Sequence, residues 1–270
     1  MKNKNDLIRH LRDKKSKKEF IVAAGVDSLS HVKCCQNASC DLILLHPTAK
    51  ITKVENPFLA GYLPFANTND LMLQTASEIM PIINSKNVLA GLNGSDPFKI
   101  DHLLLGKIKN NKCTGIHNYP TMTLVDGTFG MNIDSLNLGI DKEIQLIKNA
   151  NAEGLFTCAM VAAQKQATAM AKADADIIIF YCGLDEKKNQ DHKRNVRQEI
   201  RQLRELTASV RKINPGIPLL FFDERMTTID EIKMTASEVP EIDGYYLMPV
   251  TKARASESQL ELEIRQLREL

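Results

Sequence analysis

Short apolar runs recur along the chain, and between them apolar residues return at helical spacing. The runs fall at 20–24, closed by Gly25, and then at 41–45, 88–92, 114–118, 154–160, 176–182, 217–223 and 244–248. Each is four to eight residues long and bounded by Gly, Asn, Asp or charged residues, which reads as a buried strand. After the second run, Asn69 precedes Leu71, Met72, Ala76, Ile79 and Met80, which share one helix face. Further helices are expected from Ser28 and over 96–111, 141–153, 162–173, 195–214, 227–239 and 256–270. Asp96 is placed to cap the helix at 96–111, with Pro97 in its first turn. Leu7, Ile8 and Leu11 predict one more helix ahead of the first strand.

Strands that alternate with helices pair in parallel through right-handed crossovers. Eight such units in 270 residues predict a closed (β/α)8 TIM barrel with an N-terminal helix ahead of strand one. A doubly wound sheet with an added subdomain is the alternative. No composition shift marks a linker, so residues 1–270 are expected to form a single domain. The connection of about twenty residues after the fourth strand is long for a compact domain, and its apolar residues suggest that it is folded.

Composition changes this picture little. At 43% apolar the chain can bury a large core, and a net charge of +2 suggests no polyanionic partner. Eight of the first eighteen residues are Lys or Arg, a pattern open to a nucleic-acid arm. The interleaved leucines favour an amphipathic helix instead, and no nucleic-acid partner is expected. No apolar run is long enough to cross a membrane and no signal-peptide pattern is present, which points to a cytoplasmic protein without a membrane partner. The six cysteines have no CxxC spacing and read as reduced thiols, with no zinc site. The octapeptide EIRQLREL occurs at 199–206 and again at 263–270. In each copy Ile and Leu form a stripe, Ile200 with Leu203 and Ile264 with Leu267, and the repeat is given no functional role.

In a barrel of this kind the site lies at the carboxyl ends of the strands. Gly25, His46, Asn93, Gly94, Asp96, Asn118, Asp223, Glu224 and Arg225 fall there, and the loop after strand four adds Thr121 and Asp126. His46 is either an acid–base residue or a structural one. Asp96 either caps its helix or, with Asn93 and Gly94, helps to bind an anion at the helix start. Asn118 could hold a carboxylate, a phosphate or a metal-bound water, or tie down the following loop. Asp126 could be a metal ligand or base, although Asp-Gly is also a turn signal. Glu143, in the first turn of its helix, could bind a metal or only favour the helix start. Arg225 could clamp an anion bidentately, and Asp223 and Glu224 could hold a divalent cation. Lys50 and Lys99 lie just beyond strand ends as possible phosphate ligands. No Walker loop, GxGxxG or HExxH is present.

The runs LAGLNGSDPF at 89–98 and GIHNYPTMTLVDGTF at 115–129, followed by Glu143, resemble the phosphoenolpyruvate hydrolase-like TIM-barrel family. That family neighbours the phosphoenolpyruvate mutase and isocitrate lyase barrels. FLAGYLPFANTN at 58–69 and DADIIIFYCGL at 174–184 resemble further family segments. The resemblance implies hydrolytic or lyase-type chemistry on a small anionic keto-acid or phospho-acid. It would place Asn118 and Asp126 near the reacting centre, and Asn93 and Asp96 on the substrate's anion. Asp223 or Glu224 would act as base or metal ligand, with Mg2+ the candidate ion, no organic cofactor, and a homo-oligomeric assembly. The chain departs from the family pattern where glycine-rich turns are usual: at 25–29, 46–50, 185–194 and 223–225. Those departures, with the charged segment 185–194 as a docking surface, motivate the alternative of a barrel that has lost catalysis and senses a ligand or binds a protein.

Overall fold

The eight apolar runs close into one parallel barrel in which each strand pairs with its neighbours in sequence and β8 returns to β1. The computed structural model of the chain describes residues 2–47, 67–83, 86–182, 196–223, 225–226, 228–248 and 256–270. Within them the order is α1 (Lys2–Lys17), β1 (Ile21–Val26), α2 (Leu29–Asn37), β2 (Leu42–Leu45), α3 (Thr68–Ile79), β3 (Val88–Gly91), α4 (Asp101–Asn110) and β4 (Gly115–His117). There follow a 3-10 turn (Met122–Leu124), α5 (Gly127–Ser135), α6 (Ile140–Ala152), β5 (Phe156–Val161), α7 (Gln164–Lys172) and β6 (Ile177–Tyr181). The chain continues through α8 (Val196–Arg211), β7 (Leu219–Phe222), α9 (Ile229–Glu238), β8 (Gly244–Leu247) and α10 (Glu257–Arg268). Every strand residue is buried, as expected of a parallel sheet covered by helices on one face and filled by side chains on the other.

Two local expectations differ from the structure. Asp96 caps no helix: α4 opens only at Asp101, after Ile100 in an extended conformation. The Asp96 carboxylate instead accepts from its own turn, at Phe98 N, and from the side chains of Asn67 and Asn69 at the start of α3. These partners hold the residues after β3 against α3, and a helix beginning at Asp96 would forfeit them. The long connection after β4 is folded, as expected, but it contains a helix, α5, that periodicity did not announce. None of its residues is buried, so no apolar stripe was needed to seat it.

The basic N-terminal helix serves the closed end of the barrel. Leu7 and Leu11 are buried. Three of its lysines reach carboxylates that stand just before strands: Lys4 to Asp176 (2.9 Å), Lys14 to Asp41 (2.8 Å) and Lys15 to Asp243 (2.6 Å). Lys14 is itself buried and also donates to the Phe20 carbonyl. Lysines near the end of α1 are favoured by the helix dipole, and the apolar parts of such side chains can lie on the core while their heads reach a partner. Replacing Lys14 with Met would leave the Asp41 carboxylate buried with His10 and the Val22 amide only. A loss of about 3 kcal/mol in urea unfolding is expected, the low end for removing one partner of a buried pair, because His10 and the Val22 amide remain.

The repeated octapeptide packs differently in its two places. Within the copy on α10 the buried residues are Ile264 and Leu267, the expected stripe. In α8 they are Glu199, Leu203 and Leu206, with Ile200 only half-buried, because Glu199 turns inward to Arg225 (2.8 Å).

Candidate functional site at the barrel mouth

Alternate residues of a strand face the same side. The register therefore puts Gly25, Gly91, His117, Phe222 and Tyr246 on one face of the sheet. Their mutual contacts show this to be the inner face. A Cβ on Gly25 would stand 2.2 Å from the Tyr246 hydroxyl and 2.8 Å from the His46 ring. A Cβ on Gly91 would stand 3.0 Å from His117 Nε2. The two glycines make room for rings. His46 stacks on Tyr119 with centroids 3.8 Å apart, and the His117 ring lies 5.5 Å from that of His46. Phe222 meets Tyr246 edge-on at 5.4 Å and Tyr181 at 5.2 Å. The upper layer of the barrel interior is thus a floor of imidazole and aromatic rings.

Both imidazoles are fully buried, which disfavours their charged forms. Burial holds His46 well below the usual histidine range, with a further push from His117, and it lowers His117 to about 4 despite the bond to Leu45. His46 Nε2 lies 2.7 Å from the Tyr246 hydroxyl, and His117 Nε2 lies 3.0 Å from the Leu45 carbonyl oxygen. Among the described residues Nδ1 of each ring has no hydrogen-bond partner.

A second group lies alongside, built by the stretch between β3 and α6. Asn118, at the end of β4, pairs with the backbone of Met160 like an added strand residue: its Oδ1 accepts from Met160 N (2.6 Å) and its Nδ2 donates to Met160 O (2.9 Å). Asn69 does the same for Asn93, accepting from its N (2.9 Å) and donating to its O (3.1 Å). Glu143 closes the group. Its carboxylate accepts from Asn118 Nδ2 (2.7 Å), Thr121 Oγ1 (2.7 Å) and the Met122 amide. Burial pushes Glu143 up to about 7, against these three donors, which pull it down. Gly94 lies so close to Glu143 that an added Cβ would come within 2.7 Å of its Cα. The expected residues Asn93, Gly94, Asn118, Thr121 and Glu143 are thus brought together, with Asp96 tied in through Asn69.

The third group is Asp223 with Arg225. Arg225 does not point freely into the mouth. It folds back on Asp223, its Nε donating to one carboxylate oxygen (3.0 Å) and its terminal nitrogen to the other (2.9 Å). It also reaches the Cys182 carbonyl and Glu199. Asp126 stands apart, exposed at the start of α5, where its side chain makes no capping hydrogen bond. Lys99 is paired with Asp101. Glu224, Lys50 and the segment 185–194 lie outside the described residues.

Among the described residues no three His, Cys, Asp or Glu side chains converge to hold a metal ion. The carboxylates of Glu143, Asp96 and Asp223 are occupied by protein donors, which does not fit a Mg2+ site.

His117, Tyr119 and Tyr246 belong to the site although the strand-end rule does not reach them. Their signal was parity: each shares the inward face with a residue that was named, Gly25 or His46, and polar rings in otherwise apolar strands are unusual enough to question.

A closed parallel barrel with titratable groups gathered at the carboxyl ends of its strands has the form of a (β/α)8 enzyme. Residues 6–269 match the model of the phosphoenolpyruvate hydrolase-like family, and the chain belongs to that family. It is 28% identical over 242 residues to the ToMV susceptible protein tm-1(GCR26) of Solanum lycopersicum, a match that covers 89% of this chain and 32% of that protein. The chain thus spans about a third of that relative's length. Among solved structures it resembles 2,3-dimethylmalate lyase, a PEP mutase/isocitrate lyase superfamily member, with a TM-score of 0.57 at 16% identity over 93% of this chain and 79% of that one. Oxaloacetate acetylhydrolase, in complex with the inhibitor 3,3-difluorooxalacetate, gives a TM-score of 0.58 at 14% identity over 92% and 80%. At such identities the likeness concerns the fold. Among the described residues no helix is long and apolar enough to cross a membrane.

Proposed function

We propose that the chain forms the catalytic barrel of an enzyme that acts on a small anionic keto-acid or phospho-acid by hydrolytic or lyase-type chemistry. The observation that carries this reading is the ring floor at the mouth: two neutral imidazoles and a phenol, buried together where a (β/α)8 enzyme keeps its site. Buried titratable groups with shifted proton affinity cluster at functional sites. In this proposal Asp126 is the carboxylate available to act as base, since no capping bond occupies it. Asn118, Thr121 and Glu143 hold the loop that carries it, and Asn93 with Gly94 borders the substrate. The proposal includes a homo-oligomer in the cytoplasm, a setting that suits six buried free cysteines.

Asp126→Asn is expected to abolish turnover while leaving the melting temperature within about 2 °C of the parent, because an exposed side chain contributes little to stability. The measurement is a coupled assay with oxaloacetate and phosphoenolpyruvate beside a thermal melt. Full activity in the variant would remove Asp126 from the site.

A second reading is favoured by a different observation. Helix α5 buries none of its residues and leaves Phe129 and Met131 exposed, and one relative is named for ToMV susceptibility rather than for an enzymatic activity. On this reading the barrel binds a ligand or a protein without turnover. A thermal-shift screen with Mg2+ and small keto- and phospho-acids separates the two: stabilisation with turnover supports the enzyme, and stabilisation alone the sensor.

A further inference from the structure

A further titratable pair stands at the mouth, in the turn after β1. Gly25 faces the ring floor, and residues two apart along an extended chain face the same side. Val26 ends β1 and Ser28 is still extended, at φ −140° and ψ 157°, so Asp27 falls on the side of Gly25, one step further out. Its carboxylate lies 3.0 Å from His31 Nδ1, in the first turn of α2. A carboxylate only accepts, so Nδ1 carries a proton. The other ring nitrogen, Nε2, makes no hydrogen bond among the described residues. Both side chains stay open to solvent, His31 at 22% and Asp27 at 25%.

The pair is not what starts the helix. Ser28 does that, its Oγ accepting from the His31 amide (3.3 Å). The helix dipole disfavours a cation in the first turn, so helix stability does not explain an imidazole poised to charge there. The hydrogen bond to Asp27 raises the proton affinity of His31 above its ordinary value, against the opposing effect of burial, and Glu257 on α10 adds a smaller push in the same direction. Among the described residues these two carboxylates are the charged groups that act on the ring.

We propose that His31 is the general acid of the site, delivering its Nε2 proton to the substrate oxygen on which negative charge develops, and that Asp27 is the positioning residue that holds the ring. In that step the Nε2–H bond breaks, its electron pair stays on nitrogen, and the new O–H bond neutralises the oxygen. The ring is left neutral, with its remaining proton on Nδ1 toward Asp27, and solvent at the exposed edge returns the lost one. This sets a proton donor after β1 beside the base proposed at Asp126, and it rests on the reading of the barrel as a hydrolase or lyase.

The test is the pH profile of kcat and KM from pH 5 to 9, with whichever of oxaloacetate and phosphoenolpyruvate the parent turns over, for the parent, His31→Gln and Asp27→Asn. His31→Gln is expected to lower kcat at least about 100-fold with KM changed by less than about threefold, since general acid catalysis contributes roughly 10²–10⁴ in rate. A general acid must be protonated to act, so the parent's kcat falls as pH rises through the His31 transition. Without the Asp27 carboxylate that alkaline limb is expected to move to lower pH by about one unit, a shift that a merely structural pair would not give. Should His31→Gln fail to fold, judged by circular dichroism, the Asp27→Asn profile decides alone. Unchanged kcat in His31→Gln, or an alkaline limb that stays in place in Asp27→Asn, would overturn the dyad and leave the barrel an enzyme. A parent that turns over neither acid would instead overturn the hydrolase or lyase reading, and the general acid with it.

Discussion

Glu143→Ala is expected to cost about 3–5 kcal/mol of folding stability, the largest single effect we anticipate. The substitution strands three donors at once, the Asn118 amide, the Thr121 hydroxyl and the Met122 N–H, in a region without solvent. Each unsatisfied donor costs about 1–3 kcal/mol, and the vacated volume adds a packing loss. Donors that share one acceptor do not add fully, hence a total below their sum. Glu143→Gln keeps the volume and one accepting oxygen but turns its NH2 toward either the Met122 N–H or the Asn118 and Thr121 donors, so it is expected to recover only part of the loss. The measurement is urea denaturation of the three proteins at pH 6, together with Asn118→Ala and the Asn118/Glu143 double variant. A coupling energy near zero between the two residues would show that the group is not a unit.

The second large effect is a loss of stability in mild acid. His46 and His117 hold protons less readily folded than unfolded, His46 well below the ordinary 6.5 and His117 at about 4. Between those values the unfolded chain binds more protons, so stability rises with pH. The contribution of His117 is fully present above about 6.5 and is lost as pH falls towards 4, at about 1.4 kcal/mol per pH unit, and His46 acts in the same direction. Glu143 acts in the opposite direction. Its folded value, about 7, lies above the ordinary 4.5, so its contribution is present at low pH and is lost as pH rises through that window. His117 and Glu143 offset each other between about 4.5 and 6.5, so the net rise of stability with pH there is the share of His46. Denaturation midpoints at half-unit intervals from pH 7.5 to 4 would show it. In a His46→Gln/His117→Gln variant the slope is expected to change sign, since Glu143 then acts alone. A parent whose stability is flat across the window would refute the assignment of neutral buried imidazoles.

The barrel itself was legible because its signal is local and repeated. Runs such as 176–182 can be little else than a buried strand, and Ser28 and Ser256 each cap the helix expected after them. Asp96 shows where local reasoning stops. Asp-Pro at the end of a loop has the chemistry of a helix start, but Asn67 and Asn69, nearly thirty residues earlier, draw its carboxylate away. The same holds in the site. Asn118 and Glu143 were legible as polar residues at strand and helix ends, but their direct bond, across 25 residues, was not. Arg225 looked like a free anion clamp because its partners, Asp223, Glu199 and the Cys182 carbonyl, come from three separate parts of the chain. His46 could be named from its place after a strand. Tyr246, 200 residues away, could be joined to it only by closing β8 on β1.

The lysine-rich first helix also sets a timetable. Lys15 ends its search at Asp243, 228 residues later in the chain. Synthesis at about 5–20 residues per second puts roughly 10–50 s between the emergence of the two. Over that interval Leu7 and Leu11 lack the finished barrel end on which they come to rest, and β1 lacks one of its two neighbouring strands. Nascent chains caught before β8 should therefore be the forms most prone to cleavage and to association through the open edge of β1.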